Sequence, residues 1–549
     1  MGIFRSLLTK SSSQQGSRVI SKEKMVDSGY ARYVLFLLMI VYFFNYIDRQ
    51  ILSILAEDIK ADLGLSDGDL GFLYGSAFAV FYAIFGIPLA RLADSWQRKK
   101  LIAIGLGFWS LMTALSGTAK GFTSLALYRF GVGVGEASAT PAAYSLLYDY
   151  FSPKLRTTVL AIYSSGVYIG MGGGLFLGGA ILDGWNNAWP GASAPFALQG
   201  WQVAFVVVGA PGILLSLFVA KLKEPQRGLG DGLSDSNVNP AATVSPFKIL
   251  KNELLPMIPI ANWYQFRSFS DGPRVIWLNV RFLAALIIVV SLLVYLTGDF
   301  LKWSVLAVGF YCVFSWIQSL VHSDTVCFSL IFKCKTILYI FSATAFTVFA
   351  HVAIMFWSVP FFQRYYGVDS SEVGRFVGFS MSVGGLIGVL MGGVLADWLS
   401  RHSKRGKLLV ALGGWTLALL AALALLSVND VSSAYICSFM FFMFIASAHA
   451  PLSSTVNDLM IPRTRAVATA LNIMVATFAG FALGPYSVGL ISDAFIVSGI
   501  DAGEALRKSL QSVLILPLVG LVLLSFGIRH IANDMDDQVN RVRLLGEKI

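Results

Sequence analysis

Four ionisable side chains sit in stretches too apolar to supply them with water. Asp48 and Arg49 interrupt LFLLMIVYFFNYIDRQILSIL, and Arg129 and Glu136 interrupt LALYRFGVGVGEASATPAAYSLLYDYF. An ionisable group at hydrocarbon depth costs roughly 2.5–3.5 kcal/mol on insertion scales, so it is read first as a functional site. Seven residues is about two helical turns, which puts Arg129 and Glu136 on one face, about 10 Å apart along the axis. A carboxylate moved into low dielectric holds its proton more tightly, and a nearby arginine opposes that. Arginine stays charged at any working pH and suits fixed binding of a phosphate-like group. Asp48 and Glu136 are therefore the expected proton-coupling groups. Asp48, Arg49, Arg129 and Glu136 together form the expected substrate-binding set. Two buried ion pairs that merely fix helix packing are the plainer alternative.

The elements that must hold these charges are membrane helices. The chain has 549 residues, 56% hydrophobic and 13% charged, with mean hydropathy +0.70. That composition implies an all-α polytopic membrane protein built of spans of about 20 residues. The net charge of +10 does not indicate a nucleic-acid surface, because Lys and Arg gather in short loops between apolar runs. That is the positive-inside pattern, and it places both termini in the cytoplasm. Cys312, Cys327, Cys334 and Cys437 lie in or beside apolar segments without metal-ligand spacing, so free packing thiols are expected, with no metal and no cofactor. GVGVGE invites a dinucleotide reading, but that fingerprint needs a strand before it. Inside one apolar helix its small residues serve close helix contact. No GxxxxGK[ST] loop occurs, which argues against ATP-driven transport within this chain.

The sequence repeats itself. An offset of 303 carries Gly64, Gly71, Gly75 and Asp94 onto Gly367, Gly374, Gly378 and Asp397; an offset of 309 carries Asp149 and Arg156 onto Asp458 and Arg465. In the next span an offset of 310 carries Gly170, Gly179 and Asp183 onto Gly480, Gly489 and Asp493. The expected architecture is two parallel six-helix bundles related by a pseudo-two-fold axis, with binding between them near the midplane. The boundaries read as a tail at 1–30, a first bundle at 31–222, a cytoplasmic linker at 223–280 that is either an amphipathic element or a folded loop, an inserted hairpin at 281–322, a second bundle at 334–532 and a tail at 533–549. About 14 transmembrane helices result. Asp48 plus 303 is His351, so the two are expected to face each other, with His351 as a further proton-coupling group. Glu136 and Arg129 map onto Ile445 and Ser438. Charge thus belongs to one half only, which suits a molecule with a charged head and an apolar tail.

ARLADSWQRKK, residues 90–100, resembles the signature between the second and third helices of the major facilitator superfamily, and GGVLADWLSR, residues 392–401, resembles its weaker copy. GFALGPYSVG, residues 480–489, is similar to the glycine–proline motif of antiporters. NYIDRQ and YRFGVGVGEAS are similar to the spinster-like branch, associated with transport of lysophospholipids and sphingosine phosphate. The resemblance implies the major facilitator fold and the same four charged positions. It also implies a gating interlock of Asp94, Arg98, Asp149 and Arg156, with Asp397, Arg401, Asp458 and Arg465 as its second-half counterpart. The reading is a proton-coupled carrier of a lysolipid-like amphiphile, monomeric, in a bacterial inner membrane. The nearest rival is the same machine moving another organic anion or drug. A non-cycling receptor or channel is a second. A lipid enzyme is a third, and no Ser/His/Asp or metal-ligand constellation supports it.

Overall fold

The computed structural model describes residues 26–190, 194–227, 229, 245–461 and 464–537. Most of the expected N-terminal tail, the middle of the linker, residues 462–463 and residues 538–549 lie outside the described residues. All regular structure among the described residues is helical, one of the two ways a backbone can satisfy its own polar groups in hydrocarbon.

The first bundle comprises α1 (Gly29–Ile54), α2 (Asp67–Ser95), α3 (Arg98–Ser116), α4 (Phe122–Glu136, resuming as Ala139–Tyr150), α5 (Arg156–Ala188) and α6 (Gly200–Ala220). The hairpin is α7 (Gly272–Thr297) and α8 (Phe300–Ser323). The second bundle comprises α9 (Lys335–Tyr366), α10 (Ser370–Ser400), α11 (Gly406–Leu425), α12 (Val431–Asp458), α13 (Val467–Val497) and α14 (Ala502–Asp536). Twelve of these are long and apolar enough to cross a bilayer. The other two are α3, which opens on Arg98, Lys99 and Lys100, and α4, which carries the buried charges and a break. The chain is a multi-pass integral membrane protein with the fourteen-helix plan.

Local chemistry explains much of the repeat. Gly64 (φ +64°) and Gly367 (φ +67°) are left-handed caps that stop the helices before α2 and α10. Ser66 and Asp69 then form a capping box that starts α2. Ser138 Oγ donates to the Gly135 carbonyl at 2.8 Å where α4 breaks, and Ser447 Oγ donates to the Phe444 carbonyl at 2.7 Å where α12 breaks. Such back-bonding bends helices, and both residues obey the 309 offset.

The hairpin begins earlier than its hydropathy suggests. Residues 272–279 are the first turns of α7, because Asn279 is buried in a side-chain network and need not face lipid. Two short helices, Pro246–Leu254 and Ala261–Phe266, precede it. Three of the four cysteines, Cys312, Cys327 and Cys334, are buried.

Candidate functional site

The charged site is built where α1 meets α4. Arg49 Nε donates to Glu136 Oε2 at 2.6 Å, and both side chains are almost wholly buried. The Arg49 guanidinium lies 4.8 Å from the ring centre of Tyr46, 4.6 Å from Phe78 and 4.9 Å from Tyr82. Three aromatic faces thus complete the cation's surroundings where water is excluded. Arg129 turns to backbone: its Nη1 donates to the Asp48 carbonyl at 3.1 Å and its Nε to the Leu73 carbonyl at 3.3 Å. The Asp48 side chain points at α3, beside Trp109 and Thr113. Asp48 Oδ1, Glu136 Oε1, Arg129 Nη2 and Asn45 Oδ1 are buried without a hydrogen-bond partner. Trp109 and Thr113 lie nearest Asp48, and Asn45 lies nearest Glu136, so these polar groups face one another at the edge of hydrogen-bond geometry.

The glycines of GVGVGE let this site assemble. A Cβ on Gly133 would lie 2.4 Å from the Phe78 carbonyl of α2, and one on Gly135 would lie 2.8 Å from Trp109 Cβ of α3. The motif is a packing surface that brings the α4 charges against α1, α2 and α3, and it lies within helix α4.

His351 sits elsewhere. The 303 register does hold between α1 and α9, since Ser53 Oγ donates to the Phe356 carbonyl at 2.6 Å. The helices touch there and at Gln50, whose Nε2 donates to the Met355 carbonyl at 3.4 Å, while the Asp48 and His351 side chains each turn into their own bundle. The His351 ring centre lies 5.9 Å from Phe441 and 6.2 Å from His449. With Thr347, Trp415 and Leu514 it borders a void of about 10 Å³ inside the second half, room for one water at most. His351 therefore does not face Asp48.

The halves meet at the end that carries Glu57, Asp67 and Asp493, here called the acidic-loop end. Arg364 of α9 clasps Asp67 with both terminal nitrogens, at 2.7 and 2.8 Å. It also donates to Glu57 Oε1 at 2.9 and 2.7 Å. Lys60 and Ser492 hold the same Asp67 carboxylate at 2.5 and 2.7 Å. Two symmetric caps flank this cluster. Asp493 accepts from Asp67 N at 2.9 Å and Gly68 N at 2.7 Å, at the start of α2. Asp183 accepts from Ser371 N at 2.6 Å, at the start of α10. The repeat relates Asp183 to Asp493 by 310 residues, so each half caps a helix of the other. Backbones touch beside them: a Cβ on Gly71 would lie 2.3 Å from the Pro485 carbonyl, and one on Gly374 would lie 2.5 Å from the Leu175 carbonyl.

At the opposite, basic-loop end the contacts seen among the described residues include pairs inside each half and contacts to the linker. Arg98 pairs with Asp149 and donates to Glu224 Oε1 at 2.9 Å and the Pro225 carbonyl at 3.0 Å. Arg156 donates to the Tyr148 carbonyl at 2.9 Å. Asp94 is exposed beside these groups. In the second half Lys407 pairs with Asp458 at 2.5 Å, and Arg465 donates to the Asn457 carbonyl at 3.2 Å. Arg98 plus 309 is Lys407, so Lys407 takes the structural place of Arg98. Asp397, in the last turns of α10, and Arg401, just after it, are both exposed.

Sequence reasoning missed Arg364, although an arginine closing an apolar run (FFQRYYG) facing an acidic loop was a usable signal. Lys407 was hidden by the change of offset between α2 and α3.

Two pseudo-symmetric bundles that close on each other at one membrane face, with buried charge in one of them, define a membrane transport protein rather than an enzyme. The chain belongs to the Major Facilitator Superfamily, whose profile matches residues 38–485. An MFS-type efflux pump of Mycolicibacterium smegmatis is 27% identical over 478 residues, 87% of this chain and 88% of that protein. Protein spinster homolog 1 of Xenopus tropicalis is 29% identical over 251 residues, 44% of each chain. A probable galactarate/D-glucarate transporter of Escherichia coli is 33% identical over 211 residues, 37% of this chain and 44% of that one. Among solved structures, a bacterial homologue of the human lysosomal transporter Spinster, inward-facing and occupied, superposes with TM-score 0.67 at 22% identity, covering 92% of this chain and 99% of that one.

Proposed function

We propose that this protein is a proton-coupled secondary transporter of a lysophospholipid- or sphingosine-phosphate-like amphiphile, working by alternating access. The observation that carries the reading is the asymmetric charged site. The Arg49–Glu136 pair and Arg129 lie in the first half, while the repeat puts Ile445 and Ser438 at the matching places in the second. Arg129 Nη2 and Arg49 supply a fixed positive field for an anionic headgroup. Protonating Glu136 releases Arg49 from its pair and frees it for that headgroup, so proton and substrate each bias the same equilibrium. Aromatic Tyr46, Phe78 and Tyr82 suit the adjoining apolar part.

The basic-loop end is assigned to the cytoplasm by its Lys and Arg clusters, in a bacterial inner membrane with both termini inside. The halves are joined at the acidic-loop end, which supports an inward-facing state. Arg98–Asp149 and Lys407–Asp458 would then be parts of the cytoplasmic gate, meeting across the halves in the other state. The unit is proposed to act as a monomer. A second reading, carriage of another organic anion, is favoured by the partial likeness to a probable sugar-acid transporter.

The deciding experiment is uptake into proteoliposomes from a panel of lysolipids, sphingosine phosphate and sugar acids, with and without an imposed pH gradient. Saturable, gradient-dependent lysolipid uptake supports the proposal. Uptake of sugar acids alone transfers it to the second reading.

A further inference from the structure

The inserted hairpin touches both halves at once. At its tip, Lys302 Nζ pairs with Asp69 Oδ1 of α2 at 2.8 Å and with Asp299 at 2.9 Å. The other oxygen of Asp299 accepts from the Tyr486 hydroxyl of α13 at 3.0 Å. Asp69 belongs to the first half and Tyr486 to the second, so Asp299 and Lys302 form a polar bridge between them. Below the tip, α8 lies along the α2–α13 seam. A Cβ on Gly309 would meet Phe478 of α13 at 2.7 Å and Val80 of α2 at 3.0 Å. Trp303 and Phe310 face Tyr486 and Phe478, with ring centres 5.2 and 5.3 Å apart.

A brace must also be stiff. Tyr311 donates to Asn279 Oδ1 at 2.5 Å, and Asn279 donates to Gln318 Oε1 at 2.7 Å, tying α8 to α7. Phe282 and Phe314 stack at 3.9 Å. Asn262 of the preceding helix joins this network through Ser315 at 2.5 Å. Every named polar group in it has a partner, which rigidifies rather than binds.

We infer that the hairpin is a conformational brace. Lys302 and Asp299 pin α2 to α13 and hold the acidic-loop end shut, so that end opens only after one of these two contacts breaks. The inference rests on the alternating-access reading above.

The test uses the full-length protein in proteoliposomes with Cys437→Ser, since the remaining three cysteines are buried. A Ser370→Cys reporter sits on the opposite α5–α10 seam, where Ser370 is only 8% exposed. Its reaction with a membrane-impermeant maleimide measures opening of the acidic-loop end. Adding Asp299→Asn with Lys302→Met should speed labelling by about 5- to 30-fold, the factor expected for losing one or two kcal/mol of closing free energy. Lys302→Arg, which keeps the cation, should leave it at the reporter's own rate. Unchanged labelling in the Asp299→Asn/Lys302→Met variant, while Arg364→Ala speeds it, overturns the brace and leaves alternating access standing. Unchanged labelling in Arg364→Ala as well overturns both.

Discussion

Arg49 and Glu136 are 87 residues apart and meet at 2.6 Å in the interior of the first bundle, one on α1 and one on α4. Neither could be buried alone. The Arg49 cation is shared between one carboxylate oxygen and three aromatic faces, and the second carboxylate oxygen has no hydrogen-bond partner. The proposed function requires this pair to be exchanged for another anion.

Removing one partner should cost far more than removing both. Glu136→Ala strands a buried guanidinium and should destabilise by about 3–5 kcal/mol. Arg49→Met with Glu136→Leu leaves no charge behind and should cost less than either single change. Thermal unfolding in detergent micelles measures this, and a double variant weaker than both singles contradicts it.

Arg364 grips Asp67 through two nitrogens. Arg364→Lys keeps the charge but cannot reproduce that fork. Spin labels on α5 and α10 at the acidic-loop end should show longer separations in Arg364→Ala than in Arg364→Lys, and longer in both than in the parent.

The paired caps make a symmetric prediction. Asp493→Ala and Asp183→Ala each remove a helix cap worth about 1 kcal/mol. Each should raise the open population at the acidic-loop end by about five-fold. The two caps sit on different helix starts, so their effects should multiply in the double variant. A double variant no more open than a single would show that only one cap bears on closure.

At the other end, Arg98 and Lys407 occupy matching places but different surroundings. The Arg98 side chain is 1% exposed, whereas Lys407 is 19% and its partner Asp458 is 38% exposed. Arg98→Ala should lower stability by about 3–5 kcal/mol, as for breaking a buried pair, and Lys407→Ala by under about 1 kcal/mol. Equal losses on thermal unfolding would contradict this.

The fold was legible because hydrocarbon allows so few solutions. Run lengths marked the spans, and the Gly64/Gly367 and Asp183/Asp493 matches marked the two halves before any contact was known. The charged residues were legible for the same reason: an apolar run advertises its exceptions. Direction was not. Nothing in the spacing of Asp48 and His351 told that each turns into its own bundle, because a helix periodicity gives a face and not the neighbour it meets. Arg364 was overlooked because its partners, Glu57 and Asp67, are roughly 300 residues away in sequence, in a loop that reads as ordinary solvated acid. The hairpin was visible as two apolar runs, but its bridge through Lys302 and Asp299 depends on packing that no local pattern encodes.

The central claim is that Glu136 couples protons to the movement of an amphiphile. Its most direct measurement is the initial rate of lysolipid uptake into proteoliposomes against imposed pH difference, for the parent and for Glu136→Gln at equal incorporation. The expected result is a rate that climbs with the gradient in the parent and stays flat in Glu136→Gln. Parallel slopes in the two proteins would contradict the role assigned to Glu136.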